Sequence, residues 1–515
     1  MLNDNRNAEF GLSPEAGRAR SRSRRVALAA SLWIAMHALT SCAVGPDFRT
    51  PLAPESRGYR PGQSLKATRD VPGLWWQRFR SPGLNSLIDA GLANNSDLEA
   101  AEAAVRVAQA NALAQRATLF PSISAGYDVS RQRVPTATLN TDAASGASIY
   151  SLHTAQVTVA FVPDLFGGTR RQIESAEALA EAQAFQREGV LLTLSSNIAL
   201  ASIQEASLRG QIAATRRIID LQTQSLNLLK LQNERGQIAL PDVVAQETAL
   251  AQARLLLPSL ERQLGQQRNL LAYLTGRLPG DGVPETFRLS SFRLPRPLPM
   301  SLPADLVRQR PDVRAAEANL KAANAQIGAA IAARLPQIAI GGNAGSSATA
   351  IASLFSPQTL LWSVAGSAAQ AVFDAGAREY KQRAAEAATD QAIALYRSTV
   401  LAACQNVADV IRALQSDERA LAAAIAAERS ASHSIELARA QIERGQVTIS
   451  VLLTAQQAYL QASLARVQAE AARLADTVAL FQALGGGWWN RNSPMVEAAL
   501  APVVPVSTTA AAPQN

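Results

Sequence analysis

The residues that could do chemistry are few in this 515-residue chain. His37, His153 and His433 lie far apart, and neither they nor the two cysteines recur at metal-ligand spacing. No phosphate-cradling loop occurs, and no nucleophile, base and orienting acid form a recognisable set. The chain is therefore expected not to be an enzyme, with no catalytic residue, no metal site and no cofactor. One thiol stands apart. Cys42 follows Leu39-Thr40-Ser41, behind an apolar run from Val26 to Leu39 and a basic stretch with Arg18, Arg20, Arg22, Arg24 and Arg25. This has the form of a bacterial lipoprotein signal, with residues 1–41 removed. The Cys42 thiol would then carry an S-diacylglycerol and its freed amine an N-palmitoyl chain. Ala43, where an Asp would favour inner-membrane retention, points to the outer membrane. Cys404 sits among apolar residues and reads as a packed free thiol, so no disulfide is expected.

A second set of polar residues is marked by repetition. Glu234-Arg235-Gly236-Gln237 recurs as Glu443-Arg444-Gly445-Gln446, 209 residues later. Each copy lies between long stretches without helix breakers. No Pro occurs between Pro163 and Pro241 or between Pro357 and Pro494. Proline costs about 3 kcal/mol inside a helix, so such spans argue for long helices, near Thr169 to Gln232 and Ala377 to Ile442. Leu191, Ile198, Ile212, Ile219 and Leu226 share a seven-residue register that Glu205 interrupts. Val400, Val407, Leu414, Leu421 and Ile435 share another that Glu428 interrupts. Seven-residue periods mean coiled-coil-like packing, so the two tetrapeptides read as the tips of two helical hairpins.

The duplication extends upstream. Asp97 to Pro121 aligns with Asp312 to Pro336 at an offset of 215 without a gap. After Pro121, Ile123, Ala125, Tyr127 and Val129 alternate with polar residues. Ala155, Val157, Val159 and Phe161 form a second alternation. Ile338 and Ile340, then Leu360, Trp362 and Val364, repeat the pattern in the second half. Strands of ~10 residues suit a tilted membrane β-strand. The organisation is then a lipidated, extended leader at 42–81 and a first repeat at 82–277, with a β-hairpin near 121–164 and a tip at 234–241. A Pro-rich linker at 278–302 is expected to wrap the outside of the middle region. A second repeat covers 303–485, with a hairpin near 336–373 and a tip at 443–450. The segment 486–515 is expected to be a disordered tail.

Composition narrows the class. Hydrophobic residues make up 48% and aromatics 5%, which suits long helices with small interface residues. The net charge is +8; residues 1–41, with six Arg and three acids, account for +3 of it and leave +5. The remaining basic residues are interleaved with acids, so no nucleic-acid partner is expected. Four membrane strands cannot close a barrel, and open edges are not tolerated in lipid. Eight strands make a barrel filled by its own side chains, so a conduit needs three or more chains.

Several segments carry a family resemblance: Cys42 to Phe48, Trp75-Trp76 with Phe79, Asn95 to Leu98, and Leu302 to Leu306. Arg310 to Glu317, both Arg-Gly turns and Ala483 to Trp488 complete the set. In this order they resemble the outer membrane efflux lipoproteins, the NodT branch of the TolC-like outer membrane factors. The resemblance implies a mixed α and β membrane protein, a homotrimer with a 12-stranded outer-membrane β-barrel continued by a coiled-coil-like α-helical periplasmic barrel. It implies a passive duct that exports small toxic molecules, with a periplasmic adaptor and an inner-membrane pump of the RND or MFS type as partners. An outer-membrane duct for type I protein secretion shares the fold and is the alternative. The family closes its helical tip with inward side chains, often an Asp in a Leu-Leu-Asp-Ala-Gln segment after the second turn. Here that segment is Leu452 to Gln456 with Thr454 in place of the acid, and Ser450 one turn earlier. Asp242 is taken as the remaining aligned acid of the first half, with helix capping as its other possible role. Glu234, Arg235, Glu443 and Arg444 are expected either to pair between neighbouring hairpins or to form a solvated docking tip.

Overall fold

The computed structural model describes residues 43–52, 70–133, 149–295, 298–299, 305, 308–444 and 446–491. The signal segment, Cys42, residues 53–69 of the leader and residues 492–515 of the tail lie outside them. The described residues form two compact units, one around the strands and one around the long helices.

The strand unit is one antiparallel sheet in the order β1-β2-β3-β4, with β1 at Ser122–Arg133, β2 at Ile149–Phe161, β3 at Gln337–Ala348 and β4 at Leu360–Ala369. Helix α1, Pro82–Asn94, and helix α2, Ser96–Ala117, precede β1. Asn95 separates them. Its side-chain oxygen accepts the N–H groups of Asp97 at 3.0 Å and Leu98 at 3.1 Å, which satisfies donors that a helix start leaves open. Helices α3, Gly168–Glu234, and α4, Leu240–Leu274, follow β2. Helix α5, Pro311–Ala332, leads into β3, and β4 is followed by α6, Ala377–Glu443, and α7, Ile449–Ala483. No described helix is long and apolar enough to cross a membrane, which says nothing of the strands.

The duplication is exact in the lengths of three helix pairs, while β2 has 13 residues and β4 has 10. Helices α3 and α6 have 67 residues each, α4 and α7 have 35, and α2 and α5 have 22. Pro258 lies inside α4 on its exposed side, so the Arg254 carbonyl that loses its intrahelical donor is on an exposed residue.

The helical unit has its core where the long helices meet three non-helical segments. Trp75 stacks on Phe481 with ring centroids 5.4 Å apart, and Phe79 meets the same ring edge-on. These residues belong to a 3-10 turn, Trp75–Phe79, so the end of the leader is core and not an extended strap. The linker also differs from expectation. Val283, Phe287, Leu289 and Phe292 are buried in this cluster, and the Arg293 N–H donates to the Phe79 carbonyl at 2.8 Å. The aromatic residues of the linker enter the core because the helices alone, rich in Ala, leave volume there. The tail boundary moves too. Gly485, Gly486 and Gly487 all have positive φ, and they turn the chain so that Trp488 is buried against Phe185. The Trp488 indole N–H donates to the Gln309 carbonyl at 2.7 Å. Residues 486–491 are therefore part of the folded unit.

Glu205 and Glu428, which break the apolar registers, are explained by pairing. Glu205 is fully buried; it lies 2.6 Å from Arg209 and 3.3 Å from Arg268 of α4, and it accepts the Phe287 N–H at 3.0 Å. Glu428 lies 2.6 Å from Arg466 of α7 and accepts the Ser463 hydroxyl at 2.9 Å. A buried acid is tolerated in such a seam only when its oxygens are satisfied in this way.

Candidate functional site

The sheet has two chemically distinct faces, and the strand register assigns them. Directly opposed residues share a face. Ile123 pairs with Val159, Ala125 with Val157 and Tyr127 with Ala155. Phe161 pairs with Ile340, and Ala344 with Trp362. Together these make one apolar face, and Ile123, Trp362 and Val364 on it are each more than 70% exposed. The other face carries Ser124, Asp128, Thr154, Gln156, Thr158, Asn343 and Ser363. Its polar groups are linked across strands. Asn343 donates to Gln156 at 3.3 Å and accepts from Ser363 at 2.5 Å, and the Thr154 and Ser347 hydroxyls are 3.1 Å apart. Strands β1 and β4 each have one unpaired edge, and they do not pair with one another. A sheet with an apolar side, a wettable side and two open edges is a segment of a wall.

The segment after Cys42 is pinned in the strand unit. The Val44 N–H donates to the Phe166 carbonyl at 3.0 Å, in the turn that follows β2. The Arg171 guanidinium donates to the carbonyls of Val44 and Gly45 and to Asp47, the last at 2.7 Å. Gly45 and Gly328 meet so closely that a Cβ on Gly45 would lie 2.4 Å from the Gly328 Cα. Residue 43 is thus held beside Gly167, six residues beyond the end of β2.

The tip lies in the helical unit. Gly236 turns the chain with φ +70°, and the Gln237 N–H donates to the Gln232 carbonyl at 2.9 Å. The second tip closes with the equivalent bond, Gln446 N–H to the Gln441 carbonyl at 2.9 Å. The Asn233 amide fastens the first turn by donating to the Ile238 carbonyl at 2.9 Å. Beneath the turns, Leu226, Leu229, Val243 and Leu250 form one apolar cluster and Ile435, Ala438, Leu452 and Ala455 another. Ile449 packs against both. Gln456 of α7 donates to the Ser225 hydroxyl of α3 at 3.1 Å, so the two hairpins are tied side by side.

The predicted tip residues are distributed as follows. Glu234, Arg235 and Arg444 are exposed, and Glu234 and Arg235 make no ion pair among the described residues. Asp242 is half-buried in the first turn of α4. The N-cap there is Ala239, which offers no side-chain bond, so Asp242 is not the cap. It lies where the helix dipole favours an acid. Thr454 and Ser450 are exposed; the Thr454 hydroxyl bonds back to the Ser450 carbonyl at 2.9 Å, and the Ser450 hydroxyl lies 2.7 Å from that of Thr448. One alignment is corrected. Because α4 and α7 are equal in length and start at Leu240 and Ile449, the counterpart of Asp242 is Val451, and that of Thr454 is Ala245. Asp242 and Thr454 therefore stand one helical turn apart in the repeat and are not equivalent positions.

Comparison with known proteins agrees with this architecture. The family model described as outer membrane efflux protein matches twice, over residues 87–277 and 302–486, once per repeat. The pyoverdine export outer membrane protein OpmQ of Pseudomonas putida is 30% identical over 87% of this chain and 95% of its own. The probable efflux pump outer membrane protein TtgC of Pseudomonas putida is 32% identical over 90% of this chain and 96% of its own. Among solved structures, the outer-membrane channel OprN superposes with a TM-score of 0.80 at 28% identity, covering 87% of this chain and 100% of the other. The open-state Neisseria gonorrhoeae MtrE outer membrane channel gives 0.77 at 26% identity, covering 88% and 100%. The four-stranded sheet, the paired helical hairpins and two family matches over more than half the length place this chain in the outer membrane efflux protein family.

Proposed function

We propose that three copies of this chain close a 12-stranded barrel in the outer membrane and form a passive duct for small toxic molecules. The observation that carries this reading is the two-faced sheet with both edges open. In lipid those edges must find partners, and a second copy of the same sheet supplies β4 for β1. Family membership supports the outer-membrane efflux role. The duct does no chemistry; its energy comes from an inner-membrane pump of the RND or MFS type reached through a periplasmic adaptor. Relatives named for toluene, antibiotic and pyoverdine efflux suggest small organic cargo. Cys42 carries the lipid, and the pinned residues 43–47 would keep that anchor beside the strand unit. At the helical tip, a ring of three Asp242 carboxylates draws cations and restricts the opening, with Ser450 and Thr454 adding neutral hydroxyls. Glu234, Arg235, Glu443 and Arg444 form the polar surface that meets the adaptor.

The test is a deletion strain carrying the partner pump, scored for accumulation of toluene-like solvents and antibiotics. Complementation should restore export; unchanged accumulation of every compound would sink the efflux reading. Asp242→Ala is expected to raise single-channel conductance in planar bilayers and weaken cation preference. Equal conductance and selectivity would remove Asp242 from the gate. Cys42→Ala should abolish labelling by radiolabelled palmitate.

A further inference from the structure

The apolar face of the sheet changes character at one end. On β1 the residues of that face run Ile123, Ala125, Tyr127, Val129, and then Arg131 and Arg133. The register makes the assignment: Arg131 opposes Ser151 and Arg133 opposes Ile149, two steps and three steps beyond the Tyr127–Ala155 pair on the same side. Both arginines are exposed, and their side chains make no hydrogen bond or ion pair among the described residues. The face offers them no acid. Asp128, the one acid in the four strands, lies on the opposite side. Residues 134–148, which follow outside the described ones, contain a single acid, Asp142. His153 lies beside the pair on the same face, opposite Val129, with its ring held by the Tyr127 hydroxyl at 2.8 Å.

The position of the pair can be placed against a bilayer. From Ile123 to Arg131 the strand advances ~27 Å at ~3.4 Å per residue. Tilted by ~40°, that is ~20 Å of height against an apolar band of ~25 Å. With Ile123 at one edge of the band, Arg131 lies about 5 Å inside the other edge, within reach of its headgroups, and Arg133, ~26 Å up, lies at that edge, where an arginine costs little. It is the end of the sheet nearer the β1–β2 loop, since the other end joins the helices. Planar guanidinium groups at a lipid margin match phosphate oxygens in a two-point geometry.

Resting on the membrane reading above, we propose that Arg131 and Arg133 form a docking site for the phosphate of an outer-leaflet lipid, its acyl chains lying along Tyr127, Val129 and Ile149. The site joins charge complementarity to an apolar face already turned to lipid. The partner is a phosphorylated lipid, and free phosphate lacks the apolar half of the contact.

The test uses the full-length protein in detergent, titrated with bisphosphorylated lipid A and followed by native mass spectrometry. Arg131→Gln with Arg133→Gln should weaken binding on the order of tenfold, as expected for two interfacial arginines. Arg131→Lys with Arg133→Lys should retain most of it, which separates loss of charge from misfolding. Dephosphorylated lipid A should bind wild type and variants alike. Millimolar inorganic phosphate should not displace the lipid; full displacement would identify a free-anion site and overturn the proposal. Equal affinity of the double Gln variant and wild type would also overturn it. Insertion into vesicles is scored in parallel. Wild type that inserts while the variants bind alike defeats the lipid site alone, whereas wild type that does not insert defeats the membrane reading with it.

Discussion

Glu205 shows how much a single side chain carries. It occupies an apolar register position, yet it is buried with both oxygens satisfied. Arg268 ties the same acid to the linker, because it also donates to the carbonyl of Val283 at 2.6 Å. Glu205→Ala would leave the Phe287 N–H and the Arg268 charge without their acceptor. A loss of about 3–5 kcal/mol is expected from breaking such a buried pair, read as a clear drop in the unfolding midpoint. A second acid adds a pH signal. Burial, then a hydrogen bond with Asp417, raises the Asp476 carboxyl from 3.8 to about 6. The folded chain therefore holds a proton that the unfolded chain has released. The associated stability is complete below about pH 3.8 and falls as pH rises toward 6. Thermal midpoints should decrease across that window in wild type and flatten in Asp476→Asn. In the sequence Glu205 looks only like an interruption: Arg209 stands one turn further on, but Arg268 and the Phe287 N–H, which complete its pairing, are distant in sequence.

At the scale of elements, the helices and strands are the most legible part of the chain. Proline-free spans and seven-residue periods bound α3 and α6 to within two residues, and alternation finds all four strands. The misplaced segments share a cause. The linker and the Trp488 turn have no period, and what decides them is core volume left open by Ala-rich helices, visible only once the helices are packed. The tip turn depends on Gly236 at φ +70°, with open space where a Cβ would stand. Gly236→Ala should therefore cost about 1 kcal/mol through backbone strain alone. Faster amide exchange at residues 233–238, with the global midpoint unchanged, would report it. Asn95→Ala removes two N–H acceptor contacts at the start of α2 and its bond to the Leu274 carbonyl. A loss of about 1–2 kcal/mol is expected by chemical denaturation.

For the whole molecule, the open sheet makes a firm statement about assembly. A lone chain would expose two unpaired strand edges, so the membrane form should be an oligomer, and with the family's count its mass in detergent should be three times that of the chain. The need for several copies follows from counting strands. The number three comes from the family resemblance, since strand count alone permits larger rings. The two faces also depend on the register, which the sequence alternation implies but only pairing fixes: a slip of β2 by one residue would turn Thr154, Gln156 and Thr158 toward lipid.

The equal helix lengths of the two repeats have one more consequence. From β1 to β3 the repeat offset is 215, yet from α3 to α6 and from α4 to α7 it is 209, so the whole difference falls in the strand hairpins. One residue added to α6 alone would push its turn about 1.5 Å past the first and rotate it by ~100°. The contacts of Ile449 and the Gln456–Ser225 bond would then be lost. Insertions here can be accepted only in matched pairs, while the hairpin loops can drift one at a time. The duplication works as a vernier: each hairpin gauges the length of the other, and the variation falls between the first strand of each repeat and its long helix.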